Sequence, residues 1–419
     1  MITGLPIRIN QRATFCVPNA LPGPRGILRI TLNNRPGAIV KDRTNEPAID
    51  AREILEGILR WVRIESPSHD GDAVNRMVSH IEEEMRAVGA RIERHDGEEG
   101  YGDTLIARSP WEGDEPGILV LSHSDTVHPI GTIENELKVR QEGDKVYGPG
   151  IYDMKGGAYL AYYALRHLVR SERRTKLPIT FMYVPEEEVG SPTSRKLIEA
   201  EAKKHRYVLV TEPARDGGKI VTARKGAARF KLEAIGQPAH AGLRHMDGRS
   251  AIKEIAHQVL VLESMTDYEQ EVTLNVGVIS GGTGINVVPA ACVAEVDMRV
   301  PTPELGEEMC ERVLGLTAHD PDVTLLVTGG MNRPPYEKDA GIAKLHEHAR
   351  RLAKDIGFEL DDVKTGGGSD GNFTAALGIP TLDGLGVDGH GAHAHNEHLL
   401  YSSLEPRTKL LLKLFETLE

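Results

Sequence analysis

The chain has 419 residues, 40% of them hydrophobic and 27% charged, a globular composition long enough to build two cores. A formal net charge of −12 repels a phosphate backbone, and no Lys/Arg run offsets it, which argues against a nucleic-acid partner. No run of about 18 apolar residues exists to cross a membrane, residues 1–19 lack the apolar stretch of a secretory signal, and the three cysteines, Cys16, Cys292 and Cys310, are too few and too odd in number for a disulfide framework, which fits a cytoplasmic protein.

Residues 1–46 are rich in Pro, Gly, Asn and Arg without periodicity and read as an irregular extension. Order is predicted from Pro47. Ile54, Leu55, Ile58, Leu59 and Val62 recur at helical spacing, and Val74, Met77, Val78, Ile81, Met85 and Val88 make a second apolar stripe. Residues 117–121 form a wholly apolar run, as in a strand covered on both faces. A helix over about 155–169, a strand at 179–184, a helix near 194–204 and a strand at 207–210 follow. This alternation predicts an α/β domain with a mainly parallel sheet. After about residue 222 the pattern changes to half-exposed strands at 228–235, 273–279, 291–300 and 323–327, with helices near 250–262 and 303–314. The α/β pattern then returns from Ala340. The expectation is a catalytic domain of residues 47–222 and 334–419, interrupted by an α+β insert of residues 223–333.

Five clusters of metal-ligand residue types follow strands or glycine-rich loops, where an open α/β sheet gathers its ligands. They are His123-Ser-Asp125, Asp153 in a Gly-Pro-Gly-Ile-Tyr-Asp-Met-Lys-Gly-Gly loop, Glu186-Glu187-Glu188, Glu212 in Thr-Glu-Pro, and a tail holding His390, His393, His395 and His398. Singly, each has an ordinary structural explanation: a satisfied histidine, a turn aspartate, a solvated Glu run. Together, in order and at equivalent strand ends, they point to catalysis. Histidines and carboxylates without cysteine suit zinc, manganese or cobalt in a catalytic site rather than a closed structural one. Glu187 and Glu188, side by side in extended chain, would face opposite ways and so could divide the work between a reacting water and a metal.

These segments closely resemble the acetylornithine deacetylase, succinyl-diaminopimelate desuccinylase and carboxypeptidase G family of dizinc metallopeptidases. The shared strings are Ser-His-Ser-Asp-Thr-Val, Gly-Pro-Gly-Ile-Tyr-Asp-Met-Lys-Gly-Gly, Glu-Glu-Val-Gly-Ser, Thr-Glu-Pro, Gly-Gln-Pro-Ala-His-Ala-Gly and Asp-Met-Arg. The resemblance implies a phosphorylase/hydrolase-like catalytic domain with an inserted lid or dimerisation domain. It implies one metal on His123, Asp153 and Glu212 and a second on Asp153, Glu188 and His393. His393 is chosen because only it fits the family string His-x-x-Asn/Asp-Glu. Glu187 would be the general base, Asp125 would support His123, and the Asp153–Met154 peptide would be cis. Two cations about 3.5–4 Å apart acidify water toward pKa ~7 and stabilise a tetrahedral oxyanion, while a carboxylate base moves the proton.

The resemblance also implies that His240, in the insert, polarises the scissile carbonyl across a homodimer, and that Asn286 and Arg299 bind substrate. The Arg299 fork suits a carboxylate, and backbone N–H groups around Gly368 and Ser369 could share it. Within the family the carboxypeptidase G group, which releases C-terminal glutamate, is most similar, and it places basic residues near Lys219 and Arg333. The reading is therefore a metal-dependent hydrolase, with two divalent ions per chain, of small acyl-amino-acid or short peptide substrates. A dipeptidase or tripeptidase on the same ligands is the alternative. A catalytically inactive binding protein is more remote, since it would lack a ligand or the base and none is missing.

Overall fold

The computed structural model describes residues 48–419 apart from Glu112 and Asp114. The expected irregular extension over residues 1–46, and Cys16 within it, lie outside the described residues. The central sheet runs, edge to edge, Arg91–His95, Thr104–Arg108, Ile179–Val184, Gly117–His123, His205–Val210 and Thr381–Leu382. The last four strands are mutually parallel, and Thr104–Arg108 runs antiparallel to both of its neighbours, Arg91–His95 and Ile179–Val184. Arg91–His95 and Thr104–Arg108 are absent from the sequence reading. The first, Arg-Ile-Glu-Arg-His, sits at the sheet edge and is too charged to show an apolar run.

Both faces of this sheet are covered, which is why its strands read as continuous apolar runs. In Gly117–His123, Ile118 and Val120 join the core under the helices Ala51–Val62, Gly71–Ala87, Gly156–Arg170, Ala340–Ile356 and Leu404–Thr417. Leu119 and Leu121 face a smaller core with Ile198, Ala202 and Phe373 from the helices Arg195–Ala202 and Gly371–Ala376. Trp61 anchors the larger core through edge-to-face contacts with Tyr159 at 5.2 Å and Tyr183 at 6.2 Å. Among the described residues, no helix is long and apolar enough to cross a membrane.

The chain leaves this sheet to build a separate antiparallel one, in the order Thr273–Gly281, Ala291–Val300, Gly226–Ile235, Thr324–Arg333. Alternation sets its faces. Phe230, Leu232, Ala234, Val296, Met298 and Val300 point under the helices Ala251–Glu263 and Pro303–Leu314 into a cluster of their own. Arg229, directly opposite Asp297 in register, points the other way. Ser250 and Thr302 start the two helices by accepting from the backbone N–H of Lys253 and Leu305. The last strand runs to Arg333 rather than ending near residue 327. Gly329 and Gly330, at φ 127° and 149°, hide the continuation from a pattern based on side chains.

Candidate active site

Three parallel strands deliver the site at their carboxyl ends. His123 is the last residue of Gly117–His123, Glu187 and Glu188 follow Ile179–Val184, and Glu212 follows His205–Val210. His123 Nδ1–H donates to the Asp125 backbone carbonyl at 2.9 Å. That bond fixes the tautomer and leaves the Nε2 lone pair facing Asp153 Oδ1 at 3.3 Å and Glu212 Oε1 at 3.8 Å. On the other side of Asp153, His393 Nε2 lies 3.5 Å from Asp153 Oδ2 and 3.0 Å from Glu188 Oε2. His393 reaches this position from a loop in which it adopts φ 64°, in the left-handed region. Two three-residue sets thus share Asp153.

The Asp153–Met154 peptide is cis, as the resemblance implied. The loop that carries it is held from behind by Glu397, which is almost completely buried. One Glu397 oxygen accepts from the backbone N–H of Tyr152 and Asp153 at 2.9 and 3.0 Å. The other accepts from Gly150 N–H at 3.1 Å and from His128 Nε2 at 2.6 Å. Sequence reasoning missed this role, although Glu397 closes the very string that selected His393. Asp125 is similarly committed: it accepts from Ser68 Oγ at 2.6 Å and from the backbone N–H of Glu187 and Glu188 at 3.2 Å each. It ties the His123 strand end to the Glu loop.

The three consecutive glutamates do three jobs. Glu186 turns inward and accepts from Thr193 and Ser194. Glu188 faces His393, and Glu187 faces Arg333 Nη2 at 2.8 Å. The separation expected from extended chain is achieved differently, because Glu187–Val189 form a 3-10 turn, which fans successive side chains about 120° apart.

The electrostatics call for cations. Burial and the Asp153 carboxylate push Glu188 up, and burial, Asp153 and Glu187 push Glu212 well up. Burial, only partly opposed by Arg333, pushes Glu187 up to about 8. Burial would lower His123, but its hydrogen bonds to Asp125 and Asp153 outweigh it and raise it. Hydrogen bonds to Asp153 and Glu188 raise His393 to about 11. Buried carboxylates facing imidazole lone pairs repel unless a proton or metal ion lies between them. Glu188 Oε1 is buried without a hydrogen-bond partner. The donor set and this orphaned oxygen fit divalent cations.

A cavity of about 360 Å³ opens over these groups. Its floor is Asp153, Glu187, Glu188, Glu212 and His393, and its walls include Arg215, Arg229, Arg299, Arg333, Gly367 and Gly368. Of the residues expected to read substrate, Arg299 and Gly368 line it. Arg333 also lines it, but its guanidinium is occupied by Glu187 and by Asp370 at 2.6 Å. Ser369 is buried, its hydroxyl donating to Asp383 at 2.6 Å. Lys219 is not among the lining residues, and Arg215, across a two-stranded turn from it, is. His240 and Asn286 lie outside the cavity, next to each other on the exposed end of the insert, where Ala241 N–H donates to the Asn286 carbonyl at 2.9 Å.

Residues 119–417 match the model of peptidase family M20/M25/M40, and the chain belongs to that family. It is a metallopeptidase or amidohydrolase, of a metal-dependent kind. It is 30% identical over 361 residues to carboxypeptidase G2 of Pseudomonas sp. (strain RS-16), covering 84% of this chain and 86% of the relative. It is 26% identical over 390 residues to the succinyl-diaminopimelate desuccinylase of Acinetobacter baylyi, covering 88% and 98%. Among solved structures, a Staphylococcus aureus tripeptidase superposes with a TM-score of 0.71 at 22% identity, covering 88% of this chain and 99% of that one. An M20 family metallo-carboxypeptidase from Sulfolobus solfataricus gives 0.68 at 19%, covering 87% and 100%. At these identities the structural matches establish the fold alone.

Proposed function

We propose that the chain hydrolyses an amide bond adjacent to a free carboxylate, as a glutamate carboxypeptidase-like enzyme or an N-acyl-amino-acid deacylase. The observation that carries this reading is the pair of ligand sets sharing Asp153, with Glu187 beside them and arginines on the cavity walls above. His123, Asp153 and Glu212 would hold one divalent cation, and Asp153, Glu188 and His393 a second; zinc suits the donors. Bound there, two cations would acidify water and balance the charge of a tetrahedral oxyanion. Glu187 takes a proton from the attacking water and returns it to the leaving nitrogen. Arg333 holds the Glu187 carboxyl in place by a 2.8 Å contact. Arg299, its fork set by two bonds to Asp297 at 2.8 and 3.0 Å and a longer one from Nη1 to the Gly366 carbonyl at 3.4 Å, offers its remaining N–H groups to the substrate carboxylate.

His240 completes the site from a second copy of the chain. Its Nδ1 accepts from the backbone N–H of Gly242 and Leu243 at 3.1 and 3.2 Å, so Nε2–H is the free donor, suited to a scissile carbonyl oxygen. Around it Leu243, Met246 and Ile285 are 80%, 86% and 107% exposed, an apolar surface that a two-fold partner would cover. The insert, roughly residues 223–333, is on this reading the dimerisation domain.

The test is a panel of N-acyl amino acids, dipeptides and tripeptides, each as free acid and C-terminal amide. The expected result is cleavage of free acids with amides at least tenfold slower. Equal rates on both would reject the carboxylate requirement. A preference for dipeptides or tripeptides with a free amino group would favour the peptidase alternative.

A further inference from the structure

The four arginines that line the cavity are not equivalent. Arg333 is spent on Glu187 and Asp370, Arg299 is oriented by Asp297 and Gly366 with N–H groups left over, and Arg229 donates to the Val189 carbonyl at 2.9 Å. Arg215 makes no side-chain hydrogen bond to any described residue. Its Nε is buried without a partner, its side chain is 27% exposed, and the nearest carboxylate, Glu212, is 3.9 Å from Nη2. A guanidinium has five donors and no acceptor capacity, so an idle one on a cavity wall is a site for an anion.

Arg215 is also rigidly placed. It faces Lys219 across a tight turn closed by two backbone bonds, Arg215 N–H to the Lys219 carbonyl at 2.8 Å and the reverse at 2.7 Å. Asp216, Gly217 and Gly218 take positive φ there. Arg407 donates to the Gly218 carbonyl at 2.9 Å, and the preceding Ala214 is gripped by Tyr152 and Val387. The turn follows the catalytic sheet, three residues beyond Glu212, whereas Arg299 belongs to the insert's sheet. The two cations therefore stand on walls built by different parts of the chain.

We propose that Arg215 is a specificity residue that takes a second carboxylate of the substrate, so that the preferred substrates are dicarboxylates. This rests on the amide-hydrolase reading, with Arg299 on the carboxylate next to the scissile bond. The second carboxylate has two chemical sources: the side chain of an acidic amino acid, or the far end of a dicarboxylic acyl group.

The metal-loaded enzyme and its Arg215→Met and Arg215→Lys variants are assayed on N-benzoyl-glutamate, N-benzoyl-glutamine and N-succinyl-alanine. Arg215→Met is expected to raise KM 10- to 100-fold on whichever dicarboxylate the enzyme prefers. On benzoyl-glutamine the loss should be at least tenfold smaller, and Arg215→Lys should recover part of the affinity. Which dicarboxylate responds identifies the source. A uniform loss of kcat on all three, or a loss of metal measured by atomic emission, would show that Arg215 only balances charge beside Glu212 and would overturn the proposal. If the wild type hydrolyses none of them, the amide-hydrolase reading fails separately. Calorimetric binding of glutarate against butyrate then decides. A wild-type preference for glutarate that Arg215→Met abolishes sustains the assignment, and no preference, or an unchanged one, refutes it.

Discussion

Replacing Glu397 by alanine should weaken the metal site without touching a ligand. Four donors converge on this buried carboxylate: the backbone N–H of Gly150, Tyr152 and Asp153, and His128 Nε2. Leaving buried donors unpaired costs about 1–3 kcal/mol each, and water entering the vacated space recovers part, for a net loss of about 4 kcal/mol. An unfolding entropy of about 2.1 cal/mol/K per residue gives about 0.9 kcal/mol/K over 419 residues. Tm should then fall by about 4–5 °C. The loop that aims Asp153 loses its support, and since Asp153 belongs to both ligand sets, metal affinity should fall about 10–100-fold. Scanning calorimetry and competition with a calibrated chelator measure the two quantities. Glu397→Gln should lie between wild type and alanine, because its amide oxygen still accepts from Tyr152 and Asp153 while its NH2 opposes the other two donors. An alanine variant with Tm within 1 °C of wild type and unchanged metal affinity would refute the idea that Glu397 holds the loop.

Glu187→Gln should lower kcat by about 10²–10⁴-fold while retaining metal; loss of metal with a modest loss of rate would mean that the roles of Glu187 and Glu188 are exchanged. Metal analysis should find about two divalent ions per chain, with activity abolished by chelator and restored by Zn, Co or Mn, and a chelator-insensitive enzyme would contradict the two ligand sets. Homodimers of His240→Ala and of Glu187→Ala should each be nearly inactive, yet mixing equal amounts under subunit exchange should restore about a quarter of the activity, since half of the dimers become heterodimers with one intact site of two; no recovery despite verified exchange would reject the trans assignment. Away from the site, Glu201 is buried, which alone would raise its pKa, but hydrogen bonds from Arg108 and Lys204 outweigh burial and lower it from 4.5 to about 2. A depressed carboxyl pKa stabilises the fold above the unfolded value, so Glu201→Gln should cost about 2 kcal/mol at pH 7, and the deficit should shrink below pH ~4.5 and vanish near pH ~2 in urea titrations.

Much of the site was legible because its chemistry is local. His123, Asp153, Glu188, Glu212 and His393 each stand in a short string whose residue types and strand-end setting carry the signal. The doubly covered parallel strands were legible for the same reason: burial on both faces writes an apolar run into consecutive residues. The charged edge strand Arg91–His95 wrote no such run.

What only the tertiary structure decided are relations between distant residues. Glu397 meets the backbone of residues 150–153, Arg333 meets Glu187, and Ser369 turns away to Asp383 because three-dimensional packing brings those partners together. No spacing along the chain encodes such contacts. The same holds for Arg215 against Lys219: in sequence both are basic residues after Glu212, and only the folded turn shows which one lines the cavity. Residue type states what a side chain is able to bind; the fold determines whether its donors are already used.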